Sequence, residues 1–120
     1  SWAIGFVHET IADEGPMCAA WILDRMMSEK NRLNNKHLWL TAHTAVSLSM
    51  TLRTAGLFEP IGHERVATAQ HGTRKQILWD IIPLEQAARK WLGLTHTTKR
   101  YDQLPLILRK EIDRIRSEEE

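Results

Sequence analysis

The sequence predicts a mainly α-helical protein with one small β-hairpin. Two patterns predict it. Apolar residues recur at helical spacing in three separate stretches, Ala19 to Met27, Leu84 to Trp91 and Leu104 to Ile115. Between the first two, a helix-like run stops at Gly56, and two β-prone segments follow on either side of a basic tip containing Gly72. A chain of 120 residues is one domain, long enough to bury about two thirds of its unfolded surface. Its formal charge is only +1, so the whole-chain balance does not mark a nucleic-acid binder, and such a case must rest on where the charges sit.

Trp2, Phe6, Val7 and Ile11 recur at helical spacing, which predicts a weak helix over 2–12 that packs its aromatics onto the core; Gly5 weakens it. Asp13-Glu14-Gly15-Pro16 reads as a helix start, because acids suit the positive end of a helix dipole and proline suits the first turn. Ala19, Ala20, Leu23, Met26 and Met27 mark one face of that helix, against Asp24, Arg25, Ser28 and Glu29. It should fade by Asn31, with a turn at Asn34-Asn35. Leu38-Trp39-Leu40 suits the end of a short helix or a short strand.

Thr41 and Thr44 are both suitable N-caps for the next helix. On its wheel, Ala45, Val46, Leu48, Met50 and Leu52 form a broad apolar arc, with Ser49 and Arg53 inside it. A narrower opposite strip carries His43, Thr44, Ser47, Thr51 and Thr54. These short polar groups can lie against phosphates or base edges. Gly56 supplies a left-handed cap, and Leu57 folds back on it. Residues 64–68 and 76–82 read as strands with 69–74 as their tip, and Pro83 ends the second because it cannot donate to a ladder. Leu84, Ala87, Ala88 and Trp91 form a short helix closed by Gly93. A polar linker leads to a last helix from Leu104 or Pro105 to Glu118, striped by Leu104, Ile107, Leu108, Ile112 and Ile115. That stripe would either cover the core or pair with a second copy of the chain, so residues 1–103 read as the domain and 104–120 as a C-terminal helix that could dimerise.

The run Leu52-Arg53-Thr54-Ala55-Gly56-Leu57-Phe58 resembles the end of a recognition helix in the winged helix-turn-helix superfamily, and the hairpin after it resembles the wing. The resemblance covers about residues 16–82. Two departures are visible: Ser49 stands seven positions before Gly56, where members usually have an apolar residue, and no Gly marks the turn before the helix. The resemblance implies sequence-dependent binding of double-stranded DNA in regulation, replication or segregation. The helix at about 43–55 would approach the major groove while the wing holds phosphates. The expected contacts are His43, Thr44, Ser47, Thr51 and Thr54 on the helix and Arg65, His71, Thr73, Arg74 and Lys75 on the wing. Between His63 and Lys75, Glu64 is the only acid. A module that binds protein through the same surfaces, through the Met-rich face or through the last helix is the alternative, and an enzyme is a third.

No catalytic residue, metal site or cofactor is expected. His8-Glu9 and His63-Glu64 each begin a zinc-protease pattern, but Ala12 and Ala67 stand where the second histidine must be. Ser47 and Ser49 lack a nucleophile elbow, and no glycines cluster into a phosphate loop. The single Cys18 excludes an intramolecular disulfide and points to a reducing compartment, the cytoplasm. No apolar run approaches the ~18 residues of a membrane span. The chain opens at Ser1-Trp2 without Met, which suits a piece of a longer protein.

Overall fold

The structure is a computed structural model that describes residues 2–32, 44–68, 72–93 and 100–119. Helix α1 spans Trp2–Glu14, the short strand β1 Met17–Cys18, α2 Ala19–Arg32 and α3 Ala45–Ala55. Strands β2 (Phe58–Thr68) and β3 (Gly72–Ile81) form a hairpin, followed by α4 (Leu84–Gly93) and α5 (Leu106–Glu119). The sheet is antiparallel with β3 in the centre, in the order β1-β3-β2. The described residues are therefore mostly helical, with a small three-stranded sheet.

The acidic stretch before Pro16 ends a helix instead of starting one. Asp13 and Glu14 are the last residues of α1, and Gly15, at φ 94°, donates its N–H to the Ile11 carbonyl at 2.8 Å. Only Gly adopts that left-handed geometry without strain, so Gly15 is the C-terminal stop. Pro16 then leads into β1, where Met17 pairs with Trp79 and Cys18 with Leu78. Across the junction the Arg25 guanidinium binds Glu14 at 2.8 Å and holds its carboxyl below the ordinary range.

One core joins every helix to the base of the hairpin. It contains Val7 and Ile11 of α1, Ile22 and Met26 of α2, Leu48 and Leu52 of α3, Trp79 of β3, Ala88 of α4, and Ile112 and Ile115 of α5. On α1 the buried face is Ala3, Ile4, Val7, His8 and Ile11, whereas Phe6 is half-buried against it. His8 shares a hydrogen bond of 3.1 Å with the Ile82 carbonyl and meets the Phe58 ring edge-on. On α2, Met26 is fully buried but Met27 is exposed, which narrows the expected Met-rich face. Most of the α5 stripe packs inside the chain: Leu104, Leu108, Ile112 and Ile115 are buried in the same core, whereas Ile107 is half-buried beside exposed Leu106.

The expected turn at Asn34-Asn35, the Leu38-Trp39-Leu40 stretch, Thr41, and the linker at 94–99 lie outside the described residues. Strand β2 begins at Phe58, well before the expected 64, and runs through Pro60 and Gly62. It is an edge strand, where proline is tolerated, and a bulge at Ile61 absorbs the irregularity.

Candidate functional site

Helix α3 starts where its sequence can satisfy its own first turn. The Thr44 hydroxyl accepts the Ser47 N–H at 3.2 Å, and the Ser47 hydroxyl accepts the Thr44 N–H at 2.9 Å. This reciprocal pair is a capping box, with Ser47 in the role more often taken by Glu or Gln. At the other end Gly56, at φ 76°, closes the helix, and Leu57 is fully buried beneath it. Replacing Thr44 by Ala should cost about 1 kcal/mol of stability. A urea titration reads this as a lower midpoint with unchanged slope, and an unmoved midpoint would remove the cap from this account.

The caps fix the ends of α3 and core packing fixes its rotation, which differs from the wheel expected above. Leu48, Leu52 and Ala55 are the buried residues, while Val46 is 72% exposed and Met50 64% exposed. Arg53 is exposed beside them. Thr51 and Thr54 donate their hydroxyls to the Ser47 and Met50 carbonyls at 3.0 and 3.1 Å. With Ile4, Gln103 and Pro105 they line a shallow depression on the side of α3 toward α1 and α5. Thr51 and Thr54 thus lie away from the hairpin, and Thr44 and Ser47 are engaged in the cap. The face turned to the hairpin carries Val46, Ser49, Met50 and Arg53 instead.

Those four residues form one wall of an open groove of about 540 Å³, with Lys75, Gln76 and Ile77 of β3 on the other and Ala19 at its end. A smaller hollow continues it past Arg53 to Phe58, Pro60, Ile77 and Trp79. No acidic residue lines either space.

Strand alternation sorts the hairpin into two faces. Ile77 and Trp79 share a hollow with Arg53, so Lys75, Ile77 and Trp79 face α3. His63 is opposite Ile77, Arg65 opposite Lys75, and Ala67 opposite Thr73, which places all six on that face. Glu64 is opposite Gln76 and Val66 opposite Arg74, on the other face. Gln76 is partly anchored, its side-chain oxygen accepting the Ala20 N–H at 3.1 Å. Beyond Gly62 both strands are mostly exposed, an arm of about 20 Å at ~3.3 Å per residue.

The structure therefore brings together Arg65, Thr73 and Lys75 from the expected set, with Arg74 behind them. It adds Val46, Ser49, Met50 and Arg53. His43 and His71 lie outside the described residues. Arg53, Arg65, Arg74 and Lys75 make no ion pair among the described residues. No group of three or more His, Cys, Asp or Glu among the described residues is placed to hold a metal ion, and no described helix is long and apolar enough to cross a membrane. The sequence signal for the inward face was the i, i+4, i+7 spacing of Leu48, Leu52 and Ala55, which leaves Val46, Met50 and Arg53 outside it. Compared with known proteins, the chain matches no family model, no curated protein and no solved structure.

Proposed function

We propose that this protein is a winged-helix module that binds double-stranded DNA, with α3 toward the major groove and the hairpin arm along the phosphates. What supports the fold reading is a helix closed by left-handed Gly56 that leads directly into a hairpin, with β1 completing the sheet. The observation that carries the functional reading is electrostatic. Arg53 and Lys75 line one open groove without an acid on its walls, and Arg65 is the cross-strand partner of Lys75, in a chain whose formal charge is only +1. Such a local field attracts a polyanion where the whole-chain charge does not. A cytoplasmic location goes with the same reading.

Fluorescence titration on duplex DNA at several salt concentrations tests it. Each neutralised phosphate contributes a slope near −0.9 in log affinity against log salt, so these three cations give about −3. Absence of binding at low salt, or an affinity indifferent to salt, sinks the proposal. A protein partner is the second reading, favoured by the exposed apolar residues Val46, Met50 and Ile61. Two-thirds exposure of Val and Met on one helix face needs an account under either reading.

A further inference from the structure

Exposed apolar side chains on a helix that faces a cationic groove have a specific use if that helix enters the major groove. We infer that α3 reads thymine through its 5-methyl groups, with Val46 and Met50 as the contacts and Arg53 as the guanine-reading residue. This rests on the DNA-binding reading above and adds the chemistry of the target.

Val46, Ser49, Met50 and Arg53 occur at i, i+3, i+4 and i+7, one line along the solvent side of α3. In the major groove only thymine offers a methyl group, and only guanine offers the two acceptors that a guanidinium binds at once. The expected polar strip cannot take this part. Thr51 and Thr54 line the depression on another side of α3 and donate their hydroxyls to backbone carbonyls, and the Thr44 hydroxyl accepts the Ser47 N–H in the cap. Arg53 is exposed and has no carboxylate partner among the described residues, so its donors are available. Ser49, half-buried between the two apolar residues, adds a hydroxyl that pairs with any base edge.

The spacing sets the size of the subsite. Residues 46, 50 and 53 span about 10 Å of the helix at ~1.5 Å per residue. The subsite is therefore a few base pairs long and includes thymines under Val46 and Met50 and a guanine under Arg53. A protein partner accounts less well for the same face. A stable protein interface engages roughly 20–30 residues a side, whereas nine residues line this groove, with Val46, Met50 and Ile77 its large apolar ones and Arg53 and Lys75 its cations.

The test uses the full chain and duplexes recovered from a random pool by selection for binding. Each recovered duplex is remade with deoxyuridine replacing thymidine, which removes the methyl groups and leaves every hydrogen bond in place. Affinity should fall about fourfold for each contacted methyl, or roughly tenfold to twentyfold for two, from ~0.8 kcal/mol per buried carbon and 1.4 kcal/mol per decade. The salt slope should stay the same. Val46→Ala with Met50→Ala should abolish the thymine-over-uracil preference and leave the salt slope unchanged. Circular dichroism of this variant should match the parent, because both side chains are exposed. Salt-dependent binding that is equal for thymine and uracil duplexes overturns this inference and leaves the DNA-binding reading standing. So does a preference that survives the double substitution. Failure to bind any duplex at low salt overturns both.

Discussion

Replacing Arg65 and Lys75 together by Ala should weaken duplex binding about a hundredfold at ~0.05 M salt and flatten the salt slope by about 2. The two are cross-strand partners on the hairpin face turned to α3, and neither makes an ion pair with an acid among the described residues. Both are exposed, so thermal stability should not move. Arg74→Ala is the internal comparison. Arg74 sits one residue away on the opposite face, so its loss should cost less than that of Lys75 alone. A titration in which Arg74 matters more would reverse the orientation given to the arm. One in which none of the three matters would take the hairpin out of the binding surface.

Removing residues 104–120 should abolish cooperative folding. Leu104, Leu108, Ile112 and Ile115 are each at most 5% exposed, and the core they complete includes Val7, Leu52 and Trp79. At the level of one residue, Ile112→Ala should cost about 2–5 kcal/mol, a large part of the 5–15 kcal/mol that holds a typical domain together. Differential scanning calorimetry distinguishes this from a dimerising tail. A sharp transition retained by the truncated chain, at a temperature close to the parent's, would show that α5 is an appendage.

The parts of this fold visible in the sequence are those with a period or a punctuating residue. The stripe at Leu108, Ile112 and Ile115, the short helix from Leu84 to Gly93, and the Gly56 stop all follow from spacing and backbone sterics. Strand β1 did not, because two residues cannot show an alternation, and its existence depends on pairing with Leu78 and Trp79 sixty positions later. The Asp13-Glu14 acids misled for a related reason: acidic residues suit a helix start, but Gly15 outweighs them by ending the turn they occupy. For the candidate site, the basic hairpin was legible and the α3 face was not. Val46 and Met50 look like core by residue type, and only the packing of Leu48, Leu52 and Ala55 into the core turns them outward.

The hairpin pairs from Phe58 and Ile81 to Thr68 and Gly72, interrupted only by the bulge at Ile61, yet only its base lies in the core. Its amides therefore belong to two regimes of hydrogen exchange. Those beside Trp79, flanked by strands on both sides and covered by helices, open only when the whole domain unfolds. Those around Arg65 and Lys75 have one neighbouring strand and solvent on their side chains, and they open locally. The outer half of the arm thus rests on the pairing of β2 with β3 alone, while its root shares the stability of the core.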